Sequence, residues 1–224
     1  MGRWGMRLFE GDRDLDIALE LNCTFGEDDK YLHLSCLVHQ TDMLAPTEAR
    51  YFYESEEYVD HLDNLLADAR ERLDANGTGD KFLAHWRAKE SDPGGKYRFI
   101  LSGALMMRAG AKIKESDFEH LRELVPQIHC NPGYALPIFD EGFRGPGRVQ
   151  FIRALVQYKD GTPRNYQEPS CFNCGKVKAD SGKAPSKCGQ CKGAWYCDQD
   201  CKKGHWKAHK PSCKDPKTRV MLNV

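Results

Sequence analysis

Eight potential metal ligands, seven cysteines and one histidine, lie close together between residues 171 and 213. In chain order they are Cys171, Cys174, Cys188, Cys191, Cys197, Cys201, His209 and Cys213. They form four pairs of sulfur and nitrogen donors with only two or three residues between the members of each pair. Such pairs are typical of structural zinc sites, in which four protein ligands surround each ion. The sequence therefore predicts two Zn²⁺ ions per chain.

The spacing within each pair also predicts the backbone that positions the ligands. Two residues separate the members of the first two pairs, which suits a tight turn, here called a knuckle, that directs both sulfur atoms at one ion. Three residues separate the members of the last two pairs, which places both side chains on one face of a helix. We expect Asp198 to cap the first of two short helices, and residues 194–196 to form a short strand. Spacing alone does not decide between two sequential sites and two interleaved ones.

The predicted sites are closed. Each ion has four protein ligands and no open position for water, so we expect the zinc to be structural rather than catalytic. Few apolar residues lie between Cys171 and Cys213, and structural zinc contributes on the order of 10 kcal/mol to such a module. Metal binding and folding should therefore be one process here. His205, four residues from both Cys201 and His209, is the one alternative ligand, and we expect it to be a surface histidine instead.

The other cysteines and the apolar runs bear on the class of protein. Only Cys23, Cys36 and Cys130 lie outside the cluster, a distribution unlike that of a secreted protein held together by disulfides. The first residues are too charged for a signal peptide. No apolar stretch is as long as a membrane-spanning helix, which needs about 20 residues. We therefore expect an intracellular protein, in the cytoplasm, the nucleus or both, with reduced thiols and no membrane partner.

Charge is unevenly distributed, although the whole chain has a formal net charge of zero. Residues 171–224 contain twelve Lys and Arg against four Asp and Glu, and the first 170 residues contain 21 against 29. An acidic segment joined to a basic one can serve contacts within the chain as well as contacts with an anionic partner.

The residues before the cluster predict a mainly α fold. Apolar residues recur at helical spacing over residues 55–75, with Ser55 as the N-cap, and again over residues 97–107. Ser116 and Glu119 have the form of a capping box for a further helix. The glycines and the proline over residues 142–147 predict a loop.

These patterns divide the chain into four predicted segments. A mostly helical domain of unknown function, here called the body, covers residues 1–159. A polar, turn-rich linker covers residues 160–170, the zinc finger covers residues 171–213, and a basic C-terminal tail covers residues 214–224.

Residues 171–213 resemble the MYND zinc finger. All eight ligand positions of that family are filled, and Tyr196, Trp206 and the final His209-Lys210-x2-Cys213 match its pattern. The resemblance covers 43 of the 224 residues and implies a small cross-braced fold with two zinc ions, two knuckles, a short strand and short helices. In the cross-brace the first and third ligand pairs share one ion, and the second and fourth pairs share the other. The implied sets are Cys171, Cys174, Cys197 and Cys201, and Cys188, Cys191, His209 and Cys213.

The resemblance also implies a function. MYND fingers generally bind other proteins, and some bind short proline-containing peptides laid alongside a strand. The matching partner-binding surface in this chain consists of Trp195, Tyr196, Lys202 and Trp206. Lys202 stands where the family commonly has glutamine, and Trp206 has the alternative role of packing between the two zinc lobes. We therefore predict a zinc-dependent adaptor in transcriptional or other regulation, and favour a non-catalytic protein.

Two other functions stay open. Some MYND proteins are methyltransferases, but the Asn-His-Ser-Cys run of their SET domain is absent from this chain. His61 and Asp63 match the His-x-Asp motif of iron-dependent hydroxylases, although the apolar pattern over residues 55–75 places them on the solvent side of a helix. Four lysines between residues 202 and 210 would attract nucleic acid. Arg219 is the only arginine after residue 171, however. Arginine is the residue that most often makes sequence-specific contacts with base edges, so this composition does not favour nucleic-acid recognition.

Overall fold

A computed structural model describes residues 2–3, 5–25, 32–38, 55–131 and 142–215 of the chain. The predicted basic tail beyond residue 215, with Arg219, lies outside the described residues. The fold is mainly α, as predicted. Its helices are α1 (Asp12–Phe25), α2 (Glu56–Asp74), α3 (Thr78–Arg87), α4 (Gly95–Ala109), α5 (Glu115–Leu124), α6 (Gly145–Gln157), α7 (Lys178–Ser181) and α8 (Gln199–His209). Its strands are β1 (Cys130–Asn131), β2 (Phe143–Arg144), β3 (Ser186–Lys187) and β4 (Trp195–Tyr196).

Helix α4 is the centre of the body. Thirteen of its fifteen residues are buried, and α1, α2, α3 and α5 pack around it. Gly103 lets α5 approach closely, because a Cβ atom at this position would lie 2.6 Å from Leu121 Cδ1. Gly110 then ends the helix with a left-handed φ of 79°, as is common for a residue that follows a helix.

Helix α2 begins and ends where the sequence pattern predicts. Ser55 is its N-cap, and the Ser55 hydroxyl accepts a hydrogen bond from the Tyr58 N–H at 3.2 Å. Asn76 and Gly77 follow it with positive φ angles of 53° and 68°, which turns the chain into α3. The sequence over residues 31–38 predicts either a strand or a buried helix. Its described part, residues 32–38, contains a short 3₁₀ turn at Leu34–Leu37.

The predicted capping box of α5 is wrong. The helix begins at Glu115, and its N-cap is Lys114 rather than Ser116. The Lys114 carbonyl accepts hydrogen bonds from the N–H groups of Asp117 and Phe118. The side chain of Lys114 is held 2.8 Å from Asp80 of α3. This exposed ion pair links the start of α5 to α3, and a pattern within α5 cannot reveal it.

The predicted glycine loop is also wrong in part. Gly145, Pro146 and Gly147 form the first turn of α6, with the proline at a position where a missing N–H costs nothing. Gly147 is needed for close packing, because a Cβ atom here would lie 3.2 Å from both Leu8 N and Met6 O. The strand β2 directly before this helix pairs in parallel with β1, with Cys130 opposite Phe143.

The N-terminal residues are fixed on the body by a buried carboxylate. Asp14 is fully buried, accepts hydrogen bonds from Phe9 N–H at 3.0 Å and Tyr97 Oη at 2.9 Å, and forms an ion pair with Arg3. Residues 5–10 thereby form a compact turn above α1, in which Phe9 has a positive φ of 62°. This turn brings Met6 and Arg7 towards the C-terminal third of the chain. Met6 packs in a small cluster with Cys171 and Phe172, and Arg7 donates a hydrogen bond from Nη1 to the Glu168 carbonyl.

The described helices include none that could span a membrane, since none combines sufficient length with sufficient apolar character.

Candidate metal centre

The ligand segment folds into two knuckles, a β-hairpin and one main helix. The strands β3 and β4 pair antiparallel, with Lys187 opposite Trp195. Asp198 caps α8 as predicted, since its carboxylate accepts a hydrogen bond from the Cys201 N–H at 2.7 Å. The two short helices predicted after Cys197 are instead one helix, α8, followed by a 3₁₀ turn at Lys210–Ser212. A further short helix, α7, precedes the hairpin.

The eight ligands form two groups of four. One group contains Cys171, Cys174, Cys197 and Cys201, and the other contains Cys188, Cys191, His209 and Cys213; within each group the donor atoms all lie within 4.8 Å of one another. The grouping is therefore interleaved, as the cross-brace requires, and sequential pairing is excluded. His205 belongs to neither group.

The distances within the groups fit tetrahedral zinc. With Zn–S bonds of about 2.3 Å and Zn–N bonds of about 2.0 Å, a tetrahedron separates two sulfurs by about 3.8 Å and a sulfur from a nitrogen by about 3.5 Å. Cys174 Sγ and Cys197 Sγ are 3.6 Å apart, and Cys188 Sγ and Cys213 Sγ are 3.8 Å apart. His209 turns Nε2 towards Cys191 Sγ at 3.5 Å. All of these cysteines are free thiols, so the two groups fit two structural Zn²⁺ ions.

The thiols of the group that contains His209 influence one another's ionisation. Burial raises the pKa of Cys213 to about 12, together with the hydrogen bond and the charge of its neighbour Cys188 and the charge of Cys191. Burial also acts to raise the pKa of Cys188, but hydrogen bonds from the Cys191 N–H and the His209 side chain lower it to about 6. One thiol therefore ionises at the expense of another. A divalent cation removes this conflict, because it stabilises all of the thiolates at once.

Comparison with known families agrees with this geometry. Residues 171–213 match the family model of the MYND finger. This segment is a MYND finger.

The relatives that the chain matches are similar mainly through the MYND finger. N-lysine methyltransferase SMYD2-B of Xenopus laevis is 61% identical over 28 residues, which is 12% of this chain and 6% of that protein. N-lysine methyltransferase SMYD2-A of Danio rerio is 31% identical over 85 residues, which is 33% of this chain and 19% of that protein. The chain thus matches only a small part of the length of these curated relatives. No solved structure matches the chain.

An aromatic cluster holds the hairpin of the MYND finger against α8. Tyr196 is only 4% exposed, and its Oη lies 2.9 Å from His205 Nδ1 in a hydrogen bond. Phe172 packs its ring edge-on against both Tyr196 and His205. His205 is thus a half-buried packing residue rather than the predicted surface histidine. No role was predicted for Phe172 from the sequence. Its aromatic side chain between the two ligands of one knuckle is a signal that could have indicated this packing role.

The first knuckle of the MYND finger packs directly on α6 of the body. Gly175 has a positive φ of 73°, and a Cβ atom at this position would lie 2.2 Å from the carbonyl oxygen of Val149. Arg153 of α6 donates a hydrogen bond from Nε to the Cys174 carbonyl at 3.2 Å. Met6 of the N-terminal turn completes the small hydrophobic cluster of the MYND finger. The glycine is thus required by a close backbone approach as well as by its conformation.

Residues 164–170, the second part of the predicted linker, are packed between the body and the MYND finger. Tyr166 is fully buried, with its ring edge-on to Phe9 at 5.7 Å. The buried Gln150 carboxamide of α6 accepts a hydrogen bond from the Leu8 N–H at 3.2 Å and donates one to the Tyr166 carbonyl at 2.8 Å. A single side chain thereby joins the N-terminal turn, α6 and this segment.

One ion pair joins this segment to the MYND finger. The Arg164 guanidinium binds both carboxylate oxygens of Asp180 in α7, at 2.6 and 2.8 Å. The side chains are 8% and 4% exposed. Burial acts to raise the pKa of Asp180, but the hydrogen bond from Arg164 outweighs it and holds that pKa below its usual range.

The four predicted partner-binding residues differ in accessibility. Trp206 is 38% exposed on α8, with its ring edge-on to His209. Lys202 and Trp195 are half-buried, and Lys187 Nζ lies 4.9 Å from the centre of the Trp195 ring. The Tyr196 side chain lies inside the aromatic cluster, and the place of this residue in a partner-binding surface stays a prediction. His61 and Asp63, the pair with the spelling of an iron site, are both exposed on α2.

Proposed function

We propose that this chain is a zinc-dependent adaptor that binds partner proteins through its MYND finger. The main observation in support of this proposal is the solvent exposure of the Trp206 side chain. The zinc ligands Cys201 and His209 lie on one face of α8, and each belongs to a group of four ligands. Trp206 lies at the edge of that face, and its side chain is accessible to solvent. An exposed tryptophan beside a rigid zinc core is a low-entropy anchor for a partner.

We propose that the partner segment is a short proline-containing peptide that lies near Trp206, Lys202 and Trp195. Pairing of this peptide with β4 would compete with an existing hydrogen bond, because the Trp195 carbonyl accepts from the Phe172 N–H at 2.8 Å. Strand β3 forms the other edge of the hairpin, and both of its residues, Ser186 and Lys187, are exposed. A peptide strand would therefore add to β3, with the Trp195 ring and Lys187 beside it.

Replacing Trp206 by alanine tests the adaptor role. We expect the zinc-loaded chain to bind members of an array of short proline-containing peptides, and the Trp206→Ala variant to lose this binding, because truncating a central aromatic anchor costs about 2 kcal/mol or more. The matched control is Lys207→Ala, on the solvent side of the same helix. Zinc content should stay at two ions per chain in both variants. Equal peptide binding by wild type and Trp206→Ala would contradict this surface.

The enzyme and nucleic-acid alternatives have direct tests. The relatives are named as lysine methyltransferases, but the match to each covers at most 19% of its length. Transfer of a methyl group to a protein lysine by the purified chain would favour the enzyme alternative over the adaptor. Strongly salt-dependent binding to duplex DNA or RNA would favour the nucleic-acid alternative.

A further inference from the structure

Helix α6 exposes an apolar face beside the MYND finger. Ile152 and Val156 lie one turn apart on this helix and are 41% and 64% exposed. Val149 lies on the same face one turn earlier and is half-buried. Among the described residues, the other exposed large apolar side chains, Leu19, Val59 and Trp206, lie singly on three different helices. The pair on α6 is therefore the one place in the described chain where such residues share a helix face.

The MYND finger forms a wall along one side of this face. The first knuckle contacts the carbonyl of Val149 and the Cβ atom of Arg153 at Gly175, where a Cβ would lie 2.2 and 2.9 Å from them. Arg153 then extends to the Cys174 carbonyl. The apolar face of α6 is thus bounded on one side by the first knuckle of the MYND finger, and the junction of the two is here called the corner.

Basic residues border the apolar face on both sides. With 100° between successive residues of an α-helix, Ile152, Val156 and Val149 occupy one continuous arc of α6. Arg148 lies at the edge of this arc away from the MYND finger, and Arg153 lies at the edge towards it. Helix α6 contains no acidic residue, so the border of the apolar face is positively charged.

We propose that this corner is a docking site for an amphipathic helix of a partner protein, with acidic residues flanking its apolar stripe. The apolar residues of α6 run from Val149 to Val156, seven residue steps or about 10 Å along the axis, which matches two turns of a partner helix. Valine and isoleucine supply an apolar contact, and the arginine border selects acidic over basic partners. This surface is distinct from the tryptophan surface proposed for peptides and has different test variants.

Two synthetic amphipathic helical peptides test the proposal, one with leucine and glutamate and one with leucine and lysine. Anisotropy of the labelled peptides measures binding to the full zinc-loaded chain. We expect the acidic peptide to bind and the basic one not to bind. Val156→Glu should weaken binding of the acidic peptide by about tenfold or more, because it removes buried apolar area and adds a repelling charge. Arg148→Glu should weaken it as well.

The matched control is Leu19→Glu, which places the same charge on an exposed apolar position of α1 and should leave binding unchanged. Circular dichroism and zinc content should be the same in all variants. Equal binding of the two peptides, no binding of the acidic peptide, or equal weakening by Leu19→Glu would overturn the proposal. Self-association of the chain that Val156→Glu abolishes would also overturn it, in favour of a second copy as the occupant.

Discussion

Replacing Cys188 by serine is expected to lower the zinc content from two ions per chain to one and to unfold the part of the MYND finger that this ion holds. The reason is that Cys188, Cys191, His209 and Cys213 form one closed site, and structural zinc contributes on the order of 10 kcal/mol. No apolar core in the MYND finger can replace that contribution, since its hydrophobic cluster consists mainly of the ligands themselves. Metal analysis and the near-ultraviolet signal of Trp195 and Trp206 measure the two effects.

The matched control is Cys23→Ser, an exposed free thiol on α1. This variant should keep both ions. The helical signal of the body should survive in both variants, because its hydrophobic core contains none of the zinc ligands. A Cys188→Ser chain that still holds two zinc ions would show that this residue is not a ligand.

Replacing Arg164 by alanine is expected to destabilise the chain by about 3–5 kcal/mol, because it leaves the nearly buried carboxylate of Asp180 without its positively charged partner. Lysine at this position should restore only part of the loss, since it cannot form the two parallel hydrogen bonds of a guanidinium. Chemical denaturation of the zinc-loaded chain measures the free energy of unfolding. The double variant Arg164→Ala/Asp180→Ala should lose less than the sum of the single variants.

The same ion pair predicts a loss of stability in acid. The pKa of Asp180 is lower in the folded chain than the about 3.9 of an unfolded aspartate. Because folding favours the ionised Asp180 carboxylate, this group stabilises the fold at pH values above its pKa in the unfolded chain. The contribution is lost as the pH falls through its pKa in the folded chain. Wild type should therefore lose more stability than Arg164→Ala below about pH 4. Additive single variants and equal acid sensitivity would together show that the pair contributes nothing.

The zinc ligands could be predicted from the sequence because their spacing is a local property. Two residues between cysteines define a knuckle, and the Asp198 cap follows from its place before a helix. Which pairs share an ion depends on how the chain returns on itself. Spacing left that question open, and the resemblance to the MYND finger supplied the interleaved answer that the structure confirms.

The elements that position the MYND finger could not be predicted in the same way. Gly147 and Gly175 have turn-like sequence surroundings, yet each allows a close approach between segments distant in sequence. The pairing of Arg164 with Asp180 depends on α7, a four-residue helix without a clear sequence pattern. The burial of the Tyr196 side chain depends on the packing of β4 against α8. Contacts of this kind arise only after the body and the MYND finger are packed together.

Cobalt titration of the metal-free chain tests the central claim, two closed and cross-braced metal sites, most directly. Tetrahedral Co²⁺ with thiolate ligands absorbs strongly in the visible and near-ultraviolet range. Wild type should saturate at two equivalents with tetrahedral spectra, one site having four sulfurs and the other three sulfurs and a nitrogen. The Cys188→Ser chain should retain the spectrum of the four-sulfur site alone. Saturation at one equivalent, a weak six-coordinate spectrum, or a three-sulfur spectrum remaining in Cys188→Ser would contradict the account.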